Sequence, residues 1–205
     1  MNRRLDEAVA LAEQLHKDYP QVPEYTLFLA RTLARSGQLL AFQYQSDEAI
    51  RRHRRAIELL EPLVSRYPSV PSFGFLLASY RHGLAEYLRV LQRLPEARAE
   101  RDKSIAWAES VRIAEPGPAR IATFFRSRLY RSLAATLSQM GEAKPAEAAL
   151  EKARAEEEAA RKARASEEAL LRGQADQKEF AQPGPHPRSP TAPKPGEGPM
   201  PAERP

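Results

Sequence analysis

From Leu5 to Leu137, apolar side chains recur at steps of three and four, the period of helices that bury one face. Leu5, Ala8, Leu11 or Ala12, and Leu15 form the first stripe, over residues 5–18. Tyr19-Pro20 ends it, because proline disfavours helical dihedrals in the residue before it. A second helix is expected from Pro23-Glu24, with proline in the first turn and an acid facing the helix dipole; its stripe is Leu27, Ala30 and Leu33 or Ala34. It reaches Ser36-Gly37 or continues to Tyr44. Ser46-Asp47-Glu48 opens a third helix, over 47–66, with Ile50, Ile57, Leu60 and Leu63 or Val64 inward. Pro62 inside it should bend the helix or remove a hydrogen bond. Phe73, Leu76 or Leu77, Tyr80, Leu84, Tyr87 or Leu88, and Leu91 mark a fourth helix, over 72–92, ended by Leu94-Pro95. Ala97, Ile105, Trp107, Ala108 and Val111 mark a fifth, over 96–114. Ile121, Phe124 or Phe125, Leu129, Leu133 and Leu137 mark a sixth, over 119–140, with Gly141 as its C-terminal cap.

The pattern changes at Pro145. Large apolar residues nearly vanish while Ala, Glu, Arg and Lys persist to about Phe180, with Glu-first pairs such as Glu157 to Arg161 and Glu158 to Lys162 supporting a charged helix. Only its first turns, through Leu150, are expected to dock. Residues 182–205 hold half of the 18 prolines and no apolar period, the composition of a disordered tail. Pro187 to Pro190 and Pro190 to Pro193 have the spacing of polyproline ligands, but a flexible tail is the favoured account of them.

A second regularity overlies the helical one. Tyr19-Pro20-Gln21-Val22-Pro23-Glu24-Tyr25 returns as Tyr67-Pro68-Ser69-Val70-Pro71-Ser72-Phe73, and a worn copy lies at Glu115-Pro116; the interval from Pro20 to Pro68 equals that from Pro68 to Pro116. A fixed period of tens of residues marks stacked repeats, in which each hairpin needs its neighbours to close the core. The prolines stop one helix and start the next, and the aromatics should wedge the hairpins together. Pro23-Glu24-Tyr25, Leu29-Ala30, Ser36-Gly37, Asp47-Glu48-Ala49 and Leu63-Val64-Ser65-Arg66-Tyr67-Pro68 together resemble a bacterial tetratricopeptide-repeat (TPR) array. The wording is similar to that of long-period TPRs found C-terminal to bacterial Ser/Thr protein kinase domains. The resemblance implies an all-α, TPR-like helical-hairpin solenoid over residues 1–150, followed by a charged extension at 151–180 and a disordered Pro-rich tail at 181–205. It implies a non-catalytic protein-interaction scaffold, with no cofactor and no metal, as a module of a larger signalling protein. Residues Ala8 to Pro20 align with Ala56 to Pro68, in a repeat's second helix, so Met1 is expected to lie within a longer reading frame.

Composition narrows the alternatives. There is no cysteine, which excludes disulfides, thiolate metal sites and a Cys nucleophile, and the charged N-terminus lacks a signal-peptide core; a cytoplasmic setting follows as the expectation. His16, His53, His82 and His186 have no metal-ligand spacing, and packing is expected for His53, which shares a face with Ile50 and Ile57. No Gly-rich phosphate loop or kinase catalytic motif occurs. The net charge of +5 arises in residues 71–140, with 11 Lys/Arg against 6 Asp/Glu, so a nucleic-acid-associated helical protein is the rival reading. The run Arg51-Arg52-His53-Arg54-Arg55 either contacts phosphates or an acidic partner, or is a solvated face paired with Glu48 and Glu58. In TPR arrays the first helices of the hairpins line a concave groove. The resemblance therefore makes Arg31, Arg35, Arg81, Arg89, Arg128 and Arg131 candidates for holding an acidic peptide. Tyr19, Pro20, Pro23, Tyr25, Gly37, Tyr67, Pro68, Pro71, Phe73 and Pro116 are assigned as structural markers of the repeat.

Overall fold

A computed structural model describes the backbone of residues 2–110 and 116–180 and the side chains of residues 3–110, 123 and 125–172. The expectations placed on Val111, the turn at Glu115, the side chains of Pro116, Ile121 and Phe124, and the Pro-rich tail lie outside these described residues. The described part is all-α, in the order α1 (Asn2–Asp18), α2 (Pro23–Phe42), α3 (Ser46–Arg66), α4 (Pro71–Val90), α5 (Leu94–Ser110), α6 (Pro116–Gln139) and α7 (Ala143–Phe180). It divides into two units at Arg164; in the second, which begins at Ala165, residues 165–180 are helical.

In the first unit the helices pack as consecutive hairpins. α2 lies on α3 and α4 on α5, while α1·α2, α3·α4 and α5·α6 form the joints between neighbours. Three tight turns within the hairpins share one geometry. Tyr44 and Gln92 have φ near 60°, and Gly141 has φ 79°. The N–H groups of Gln45, Arg93 and Glu142 donate back to the carbonyls of Leu40, Leu88 and Leu137 at 3.0, 2.8 and 2.9 Å. This is the Schellman closure, which satisfies helix-end carbonyls and reverses the chain sharply. Only the third turn uses glycine, and a left-handed residue with a Cβ costs about 1–2 kcal/mol.

The turns between hairpins repeat as faithfully. Tyr19 N–H donates to Leu15 and Val22 N–H to Tyr19, each at 3.1 Å; Tyr67 donates to Leu63 at 2.9 Å and Val70 to Tyr67 at 3.0 Å. Pro23 and Pro71 stand in the first turns of α2 and α4, where a missing N–H leaves no helical bond unmade. Tyr19 meets Tyr25 edge-on at 5.6 Å, and Tyr67 meets Phe73 at 6.1 Å.

The largest buried cluster joins Leu29, Leu33, Ile50, Ile57, Leu60, Leu84 and Leu88; a second, around Ala78, Ile105, Phe125 and Leu129, carries the core toward α6 and α7. His53 is buried within this packing. Two sequence expectations shift, and one left open for α2 takes its longer form. In α1 it is Val9 and Ala12 that face inward, while Ala8 is exposed and Leu11 is 73% exposed. α1 packs mainly against α2, touching α3 through the Asp6–Arg52 ion pair, so a single narrow stripe suffices; the matching Ala56 and Leu59 of α3 are buried from two sides. α2 runs through Ser36-Gly37 to Phe42. α7 docks through Ala146, Ala149 and Ala153, with Leu150 40% exposed, and its attachment extends to Glu156 and Glu157. Small residues on that stripe let α7 approach α6 closely, and the carboxylates then reach Arg126, Ser127 and Arg131.

Candidate peptide groove

The first helices of the hairpins, α2, α4 and α6, enclose a cavity of about 520 Å³. Its walls carry Arg31 and Arg35 from α2 and Arg128 from α6; its floor is Tyr80, Gly83 and Tyr87 of α4 with His53 of α3. The helical repeat explains the placement. Positions 31 and 35 lie one turn apart on one face of α2, and one repeat later the equivalent positions are Ser79 and Gly83, both lining the cavity. Small residues in the middle helix keep the floor open between two basic walls.

The floor is held rigidly and carries no charge of its own. His53 Nδ1–H donates to the Ala49 carbonyl at 3.2 Å, and the ring stands edge-on to Tyr87 at 4.9 Å and to Tyr80 at 6.5 Å. Burial lowers its pKa to about 4, only partly opposed by the Ala49 bond. His82 is lowered to about 4 as well, by burial and then by Arg101 and Arg128. Burial pushes Tyr80 up to about 12 against the opposing charge of Arg31. Near neutral pH the histidines are therefore neutral and Tyr80 is protonated, and the charge of the groove comes from its arginines.

The six arginine candidates separate. Arg31, Arg35 and Arg128 line the cavity and are exposed; Arg35 is bonded to Gln38 at 3.3 Å, while Arg31 and Arg128 make no ion pair among the described residues. Arg89 and Arg131 line a second cavity beside it, paired with Glu86 and Glu157 respectively. Arg81 lines neither. It is half-buried, paired with Glu61 and 3.9 Å from Glu100. The repeat register gives the reason, since Arg81 stands one repeat after Leu33, a core position. The arginine run of α3 is neutralised residue by residue: Arg51 by Glu48, Arg52 by Glu48 at 2.8 Å and Asp6 at 2.5 Å, Arg54 by Glu96 at 2.8 Å, and Arg55 by Glu58 at 3.2 Å.

One group escaped the sequence reading. Arg101 is completely buried, with Nη2 donating to Glu86 at 3.0 Å, Nη1 donating to Ser132, and the same Nη1 lying 3.4 Å from His82 Nδ1. Ser132 in turn donates to Glu86. Burial alone would raise the Glu86 carboxyl, but Ser132, Arg101 and Arg89 outweigh it and hold it below the usual carboxylate range. The signal was present: Arg101 interrupts the stripe Ala97, Ser104, Ile105, Ala108, and it stands one repeat after His53, which is also buried. Among the described residues no cluster of three potential ligands could hold a metal ion, and no helix is long and apolar enough to cross a membrane.

No protein-family model matches the chain, and no curated protein matches it. Among solved structures, the crystal structure of BtubC (BKLC) from P. vanneervenii is similar over 94% of this chain and 65% of that one, with a TM-score of 0.53 and 14% identity. The crystal structure of MamA is similar over 77% of this chain and 91% of that one, with a TM-score of 0.35 and 16% identity. The chain thus spans just under two thirds of the length of BtubC, 65%, and the likeness bears on fold alone. With its consecutive hairpins and repeated turns, the chain is a TPR-like helical-repeat protein.

Proposed function

We propose that the chain is a protein-interaction scaffold whose groove takes an acidic peptide in extended form. The observation that carries this reading is the contrast between Arg31 and Arg128, which lack carboxylate partners, and the α3 arginines, which are neutralised within the fold. Unneutralised guanidinium groups above an aromatic, uncharged floor suit a ligand that brings its own carboxylates together with apolar side chains. The similarity of the repeat wording to kinase-linked TPRs supports a wider setting as the non-catalytic module of a larger cytoplasmic signalling protein.

The test is fluorescence anisotropy with a short labelled Asp/Glu-rich peptide, over a salt series. The double charge reversal R31E/R128E should weaken binding by at least about tenfold, one charged contact's worth. R66E, at the exposed end of α3, should leave binding unchanged. Equal binding by wild type and R31E/R128E would overturn the reading. Tighter binding of single-stranded nucleic acid, with a steep salt slope and dependence on Arg51 and Arg55, would replace it with the nucleic-acid alternative.

A further inference from the structure

Resting on the groove reading, we propose that the second cavity is a phosphate pocket, which receives a phosphorylated serine or threonine side chain of the peptide lying in the groove. The cavity, about 460 Å³, lies between α4 and α6 and is lined by Arg89, Arg128, Arg131, His82, Glu86 and Ser132. Arg128 and His82 line both cavities, so a peptide on the groove floor passes the mouth of the pocket without leaving the arginine it already contacts.

The charge balance favours phosphate over carboxylate. Three guanidinium groups line the cavity, those of Arg89, Arg128 and Arg131, and a fourth, the buried Arg101, lies behind Glu86; the carboxylates paired with them are Glu86 and Glu157. Glu86 is shared by Arg89 at 3.1 Å and the buried Arg101 at 3.0 Å; Glu157 is shared by Arg131 and the Ser127 hydroxyl, 2.7 Å away. Two positive charges remain unmatched. A carboxylate would neutralise one of them, whereas a phosphate monoester near neutral pH carries close to two negative charges and three acceptor oxygens for forked donors. Arg101 cannot touch a ligand, being fully buried, but it occupies one side of Glu86 and so limits how strongly that carboxylate competes for Arg89. Arg128 and Arg131 stand three apart on α6 and Arg89 faces them from α4, so the donors come from two helices fixed by the core.

The experiment compares three labelled peptides of one Asp/Glu-rich sequence, carrying threonine, glutamate or phosphothreonine at the same position, with inorganic phosphate as competitor. The phosphothreonine form should bind about tenfold or more tightly than either other form, as expected for added charged hydrogen bonds. R128A and R131A should remove that advantage, while R31A should weaken all three forms alike. R128A unpairs no carboxylate, so its far-UV circular dichroism and urea midpoint should match wild type. Equal binding of the three forms, with Arg31 dependence kept, would overturn the phosphate pocket and leave the groove reading standing. Failure of all three to bind would overturn both. Inorganic phosphate binding as tightly as the phosphopeptide would overturn the peptide-borne source in favour of a free-anion site.

Discussion

Replacing Gly37 by alanine sets two effects of known size against each other. Gly37 lies in the interior of α2 and is buried against α3. In an unobstructed helix the change stabilises by about 1 kcal/mol, because glycine loses the most backbone freedom on folding. Here a Cβ would stand 2.6 Å from His53 Nδ1, 3.1 Å from its Cε1 and 3.0 Å from the Ala49 carbonyl oxygen. The outcome depends on whether the imidazole can retreat. It is bonded to that same carbonyl at 3.2 Å, and Tyr87 stands edge-on to it at 4.9 Å. Moving it would strand a buried polar group at about 1–3 kcal/mol, and overpacking carries a similar cost. Gly37→Ala should therefore destabilise by about 1–2 kcal/mol net, read from urea unfolding followed by circular dichroism. In the His53→Ala background only the carbonyl contact remains, and the same change should be neutral or stabilising by up to about 1 kcal/mol. The same loss in both backgrounds would refute the argument, since the obstruction would not then be the ring.

Glu86→Gln should cost about 3 kcal/mol, because it leaves the buried guanidinium of Arg101 without a counter-charge; the partial exposure of Glu86 puts this at the low end of the range for broken buried pairs. The double variant R101M/E86Q should recover most of that loss, as measured by the urea midpoint. His53 and His82 titrate near 4 in the fold and near 6.5 unfolded, so below pH 6.5 the unfolded chain takes up protons that the folded chain refuses. Their contribution is complete above pH 6.5 and falls as the pH drops toward 4, by roughly 3 kcal/mol per histidine, and His53→Gln should remove about half of this slope in unfolding measured across that range. Gly74→Ala would place a Cβ 2.6 Å from Cε2 of Trp107, the chain's single tryptophan, so its emission should shift to the red with a loss of about 1–3 kcal/mol; unchanged emission would show that the indole moves without losing burial.

What could be read from the sequence was whatever the backbone encodes locally. The Tyr-Pro and Val-Pro pairs dictate helix ends by sterics, and the two copies make the same hydrogen bonds in the same order. Gly141 was legible as a cap for the same reason, whereas Tyr44 and Gln92 close their turns with no compositional signal, being ordinary residues held at positive φ by the hydrogen bonds around them. Which face of a helix is inward depends on how many neighbours it has. α1 packs mainly on one, and Val9 in place of Ala8 faces inward there, together with Ala12. The Arg101 network was invisible to local reading because its partners Glu86 and Ser132 lie 15 and 31 residues away on other helices. The position of Arg81 away from the two cavities follows from the repeat register, which aligns it with Leu33 and aligns Arg31 and Arg35 with Ser79 and Gly83.

The same register sets the size of a ligand that can use the whole groove. Arg31 and Arg128 belong to the first helices of the first and third hairpins, with α4 between them. α3 and α5 stand between these helices, so the two guanidinium stems rise from axes separated by at least two helix-packing distances of about 8–10 Å, roughly 20 Å. An extended chain advances about 3.3 Å per residue, and a ligand touching both walls needs about six residues. Truncating the acidic peptide from either end should leave affinity nearly constant down to that length. Below it affinity should fall abruptly, and the effects of Arg31→Ala and Arg128→Ala should cease to add, because a short peptide reaches one wall at a time. A smooth decline with length, with the two substitutions additive throughout, would mean that the arginines act through their long-range field and that no peptide bridges them.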